Sequence, residues 1–160
     1  MDRPDLYDSD ILAWSEQQAA ALRRLADRRD LPNELDLDNV VEEIESVGRS
    51  QLDAVESLIV LLLEHIAKGV SDPAAASFTH WRTECVAWHG RLLRRFTPSM
   101  RSKLVMDTLW LAACRQAEAA LEEHGGTLAA GLSGPCPVSV DDLLSTDFEF
   151  REIVSRIAQA

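Results

Sequence analysis

Nine positions between Leu37 and Ile66 constrain this chain more than any other feature. Leu37, Val41, Ile44, Gly48, Leu52, Val55, Ile59, Leu62 and Ile66 follow one another at spacings of three or four residues. That period marks one face of a helix, and at about 1.5 Å of rise per residue the run makes a helix ~45 Å long. Its two halves differ. The first carries Glu42, Glu43 and Glu45 around the stripe. In the second, Leu58 to Leu63 (LIVLLL) is apolar all round, which places it in an interior with neighbours on several sides. Gly48 lies within the stripe, where glycine costs about 1 kcal/mol relative to alanine. Close approach of another helix is the expected compensation.

The helical period extends over nearly the whole chain, and no segment alternates as a strand would. A first helix is predicted from Asp5 to Arg29, with Tyr7, Ile11, Trp14, Gln18, Leu22 and Leu25 on one face. Asp30-Leu-Pro-Asn breaks it. The long second helix starts at a cap near Asp36 or Asp38. A third, beginning near Ser77 after the Asp72-Pro73 cap signal, carries Phe78, Trp81, Cys85, Trp88, Leu92 and Phe96. Thr97-Pro98 ends it and opens a fourth, from about Ser99 to His124, which Gly125-Gly126 closes. Residues 127–138 read as a loop, Ser139 caps a short turn, and a terminal helix runs from about Asp147 to Ala158. The expected architecture is all-α: an antiparallel bundle of four long helices with two short C-terminal helices, in a single domain over residues 1–160.

These segments, in this order, resemble the bacterial family catalogued as domain of unknown function 29. The matching pieces are Tyr7 to Trp14 (YDSDILAW) with Gln18 and Leu22, then the block Leu35 to Ser50 (LDLDNVVEEIESVGRS). Leu61 to Lys68 (LLLEHIAK) follows and leads to Trp81-Arg82. Cys136-Pro137, Leu143-Leu144 and Asp147-Phe148 complete the set, so the resemblance covers about residues 5–148. After Trp81 the chain departs from the family's more basic and polar helix, with Cys85, Trp88 and His89 in that region. The resemblance implies an all-helical fold and brings no assigned activity.

Cys85, Cys114 and Cys136 form no CxxC pair and are odd in number, as expected of free thiols in a reducing compartment. The N-terminal residues have neither a basic leader nor an apolar core, and the longest strongly apolar run, Leu58 to Leu63, is far short of the ~20 residues needed to span a bilayer. A cytoplasmic protein with no membrane partner is the expectation. A formal charge of −11 argues against a nucleic-acid partner. The charge is segregated. Residues 34–56 hold eight acids against Arg49, and residues 82–103 hold six bases against Glu84. Such stretches are expected to face each other, across one fold or across an interface between copies.

Glu42, Glu43 and Glu45 are the foremost candidates for chemistry. Glu42 and Glu45 are neighbours on the helix surface and could share a metal, or form a solvated acidic face near a helix N-terminus. His65 lies on the opposite flank of the same helix from Glu45, so a site there would draw its imidazole from His89. Glu42, Glu45 and His89 are the expected ligands if manganese, iron or zinc is held; Glu43, His65 and Gln18 are further polar candidates. Neither Glu-x-x-His nor His-x-x-x-His occurs, and phosphate-loop, dinucleotide and nucleophile-elbow motifs are missing. The expected function is therefore non-catalytic, through a protein partner or self-association, with no cofactor. The alternative is a polar pocket, for binding or for enzymatic chemistry, that takes a divalent metal or small ligand.

Overall fold

A computed structural model describes residues 5–26, 28 and 30–160. The leader reading at residues 1–4 and the predicted helix end at Arg29 itself fall outside the described residues, but residues 24–26 form a turn, so the first helix does not extend that far. Every regular element among those described is helical: α1 (Leu6–Ser9), α2 (Ile11–Arg23), α3 (Leu37–Ser71), α4 (Phe78–Arg95), α5 (Met106–Glu122), α6 (Val140–Leu144) and α7 (Phe150–Ala158). Short 3-10 turns occupy Pro98–Ser102 and Ala130–Ser133. None of the helices is long and apolar enough to cross a membrane. The chain divides into two compact units, residues 1–54 with 96–103, and residues 55–95 with 104–160. The first half of α3 belongs to one and the second half to the other.

The first unit is organised by Asp10. The expected single helix from Asp5 is interrupted there, with φ −154° and ψ 82° at Asp10, and α2 ends at Arg23. The cause is a buried polar cluster. The Asp10 carboxylate accepts the Ala13 N–H at 3.1 Å, capping α2, and the Thr97 hydroxyl at 3.0 Å. It also takes the Ser99 N–H at 3.0 Å and the Ser99 hydroxyl at 2.6 Å. Burial pushes the Asp10 carboxyl up, but the hydrogen bonds from Ser99, Ala13 and Thr97 outweigh it and hold it below the ordinary aspartate value. The same bonds hold Thr97 and, after it, Ser99 in the 3-10 turn Pro98–Ser102, so the fourth helix, expected from Ser99, starts only at Met106. Gly48 does sit at a close helix contact. A Cβ there would overlap the Ser15 hydroxyl and come within 2.9 Å of Leu12 Cδ1.

The second unit holds most of the apolar core. Leu58, Ile59, Leu62 and Leu63 are buried, as the all-round apolar run requires. From α5, Trp110, Ala113 and Ala117 are buried as well. The expected loop at 127–138 is tied to its surroundings. Trp110 donates its indole N–H to the Leu132 carbonyl at 3.1 Å, the Ala129 N–H bonds the Ser71 hydroxyl at 2.9 Å, and the Cys136 N–H bonds Asp107 at 2.8 Å. The cap at Ser139 is a reciprocal box with Asp142 at the start of α6. Gly69 is a second close contact, within 3.0 Å of Phe150 and Val154 on α7 if given a Cβ. All three cysteines are free.

Candidate functional site

Two polar candidates of the first unit, Glu42 and Glu45, are matched to arginines. Arg49 reaches Glu42 at 2.5 Å and Glu45 at 3.9 Å, and Arg23 of α2 meets Glu45 at 2.7 Å. The Arg23 hydrogen bond holds the Glu45 carboxyl below its ordinary value. Glu43 is exposed and Gln18 half-buried. Structure thus brings Glu42 and Glu45 together around a guanidinium. Among the described residues no group of three or more His, Cys, Asp or Glu side chains is arranged to hold a metal ion.

His89 and His65 both lie in the second unit, and both are buried. His89 stacks on Phe148 with ring centroids 4.5 Å apart, and its Nε2 has no hydrogen-bond partner. Burial lowers its pKa, against hydrogen bonds with the backbone at Ser145 and Leu143. It is held as a neutral packing group.

His65 is at the centre of a larger polar cluster. His65 and Lys68 on α3, and Asp72 just beyond its end, are three and four residues apart and share one flank. On α4, Trp81, Glu84 and Trp88 have the same spacing. The two flanks meet. His65 Nε2 lies 2.7 Å from Glu84 Oε2, and the His65 ring makes edge contacts with Trp88 at 4.7 Å and Trp81 at 6.4 Å. His80 Nε2 is 3.4 Å from the same Glu84 oxygen. Lys68 pairs with Glu64 at 2.9 Å and stands 5.3 Å from the Trp81 ring centroid, within range of a cation–π attraction.

Burial lowers the His65 pKa more than the Glu84 bond raises it, so near pH 7 the ring is neutral and donates Nε2–H to Glu84. Its Nδ1 then has no partner. A buried acceptor left without a donor carries a desolvation cost, and here it is walled by tryptophan. Cys85, the next residue after Glu84, supplies no nucleophile: it is fully buried, and burial pushes its thiol far above the usual range. The cluster therefore holds no activated nucleophile at Cys85. Beside it lies a cavity of about 340 Å³ lined by Lys68, Asp72, Ser77, Trp81, Leu121 and His124, with three alanines.

Glu84, Lys68 and Trp81 were not among the sequence candidates. Glu84 had one signal, as the lone acid in the basic stretch of residues 82–103. Trp81 stands out in the sequence only as a member of the apolar stripe of the third helix.

The family described as Domain of unknown function DUF29 matches residues 6–149. A crystal structure of an alpha-helical protein of unknown function from Rhodospirillum rubrum ATCC 11170 is similar, at 38% identity and a TM-score of 0.87. The similarity covers 96% of this chain and 98% of that one. No curated protein matches the chain.

Proposed function

We propose that this chain, which belongs to the domain of unknown function 29 family, works without catalysis as a helical association module. The solvent face of α4 is its contact surface, and a helix of a second copy is the occupant. Thr79, Thr83, Val86, Gly90 and Leu93 follow at spacings of 4, 3, 4 and 3, the repeat of a helix–helix seam. Val86 is 56% and Leu93 38% exposed. The Thr83 hydroxyl already donates to the Thr79 carbonyl at 3.0 Å, which leaves its methyl for contact.

The observation that carries the reading is Gly90. The other two glycines within helices, Gly48 and Gly69, each stand against neighbouring side chains. A Cβ on Gly90 would meet only Arg94 Nη1, at 3.6 Å. Glycine inside an exposed helix costs about 1 kcal/mol, and no contact within the chain compensates. A second backbone approaching the seam at Gly90 would.

Charge selects the partner. Arg91, Arg94 and Arg95 at the end of α4 are exposed and pair with no acid among the described residues. The first half of α3 presents a matching seam, Val40, Glu43, Val47 and Ser50, on which Val40 and Val47 are 38% and 39% exposed in an acidic stretch. The occupant of α4 is this segment of a second copy. The two faces differ, so the contact is heterologous and weakens with salt. The test is sedimentation of wild type against Gly90→Leu, which fills the seam. Weaker self-association with unchanged helicity supports the reading, and association insensitive to Gly90→Leu overturns it.

A further inference from the structure

We propose that the cavity between the end of α3 and the start of α4 is a binding site for a small zwitterion, an α-amino acid with an apolar side chain. This site is separate from the α4 seam and does not depend on it.

The inference starts from two opposite charges that the protein leaves incompletely matched on one wall. Lys68 is nine-tenths buried at its side chain. An ammonium has three N–H donors, and Glu64 takes one of them at 2.9 Å. The others have no acceptor among the described residues, yet Lys68 lines the cavity. Asp72 lines it as well, one helical turn on, with its backbone N–H bonded to the Lys68 carbonyl at 2.8 Å. The Asp72 carboxylate has no partner among the described residues, although Lys68 is within a turn. Lys68 turns instead to Glu64 and the Trp81 face.

Ligand class follows from this charge pattern. Lys68 and Asp72 balance each other on the walls, and Glu64 stands beside Lys68, so a phosphate ester or another multiply charged anion is poorly matched. A group with one positive and one negative charge close together matches both. Its carboxylate takes the spare Lys68 donors and its ammonium takes Asp72. Ser77 and His124 add polar groups to the lining. Between them Trp81, Leu121 and three alanines offer an apolar wall for a side chain. A cavity of about 340 Å³ is at the small end of the range for ligand sites, which fits a free amino acid better than a peptide or nucleotide.

The experiment is a titration of the full chain with L-leucine, L-methionine and L-phenylalanine, followed by NMR at the Trp81 indole N–H and the Ala120 amide. Leucinamide, which lacks the carboxylate, and N-acetyl-leucine, which lacks the ammonium, represent the two ends of a peptide chain. The expected result is saturable binding of at least one free amino acid, with a Kd on the order of 1 mM, and loss of binding for both blocked forms. Asp72→Asn and Lys68→Met are each expected to weaken it about tenfold or more. Asp72 is exposed, so Asp72→Asn leaves the fold intact and keeps the test valid if Lys68→Met does not fold. No saturable shift with any of the three amino acids overturns the proposal, as does equal binding of either blocked form or of Asp72→Asn.

Discussion

Replacing Gly48 by alanine sets two effects of known sign against each other. Helix propensity favours alanine by about 1 kcal/mol. Packing opposes it, because the new Cβ would overlap the Ser15 hydroxyl and stand 2.9 Å from Leu12 Cδ1 and 3.3 Å from Ser15 Cβ. Ser15 is fully buried, and its hydroxyl donates to the Leu12 carbonyl at 2.9 Å. Relief requires either moving that hydroxyl off its acceptor, at a cost of about 1 kcal/mol, or parting α2 from α3, with overpacking costs of roughly 1–3 kcal/mol. The net expectation is destabilisation by ~1–3 kcal/mol, or a melting temperature lower by roughly 2–10 °C for a chain of this length. Gly90→Ala is the internal control. Its Cβ meets only Arg94 Nη1 at 3.6 Å, so at low protein concentration propensity acts alone and stabilises by about 0.5–1 kcal/mol. Urea unfolding followed by far-ultraviolet circular dichroism measures both. A Gly48→Ala midpoint at or above wild type, or shifts of the same sign in the two variants, would refute the reasoning.

Asp10→Ala should cost about 2–4 kcal/mol by removing a helix cap and stranding Ser99 donors. Because the Asp10 carboxyl is held below its ordinary 3.8, its contribution is full above that value and fades as pH falls through the folded-state pKa, so an acid limb unchanged in Asp10→Asn would contradict the assignment. His65 and His89 have folded pKa values below the ordinary 6.5. The unfolded chain therefore takes up their protons first, and stability is full above 6.5 and declines below it. The urea midpoint should be lower at about pH 5.5 than at about pH 7.5, less so in His89→Phe, and a midpoint independent of pH would remove this explanation. In Glu84→Gln the His65 ring loses the bond that opposes burial, so its NMR titration should move lower still; an upward shift would mean that Glu84 is not the partner.

Much of this fold could be read from residue spacing, because the helical period reports which face of a helix is buried. The α3 stripe, the all-apolar run at Leu58 to Leu63 and the close contact at Gly48 all follow from it. Period says nothing about what lies across from a face. Asp10 is one polar residue among several within a helical pattern, and its partner Ser99 is 89 residues away. That long-range cluster splits the first helix and shortens the fourth, against local propensity. The candidate site was partly legible for the same reason. Spacing placed His65 on a flank and showed the carboxylates of α3 as neighbours, but Glu84, 19 residues from His65, was visible only as a lone acid among bases. Lys68 carried no signal of its own in the spacing, and its buried ammonium, paired with Glu64 and facing Trp81, shows only in the structure.

The most direct test of the association seam mixes two variants that are each defective on one face. Val86→Asp sets an acid on the α4 seam, opposite the acidic α3 segment of its neighbour. Val47→Arg sets a base on the α3 seam, opposite Arg91, Arg94 and Arg95. Light scattering at high micromolar concentration and low salt is expected to find wild type self-associating and each variant alone monomeric. An equimolar mixture is expected to associate again, because the α3 seam of the Val86→Asp chain and the α4 seam of the Val47→Arg chain are both intact. Wild type that stays monomeric, or a mixture that stays monomeric while wild type associates, would contradict the pairing of α4 with α3 between copies.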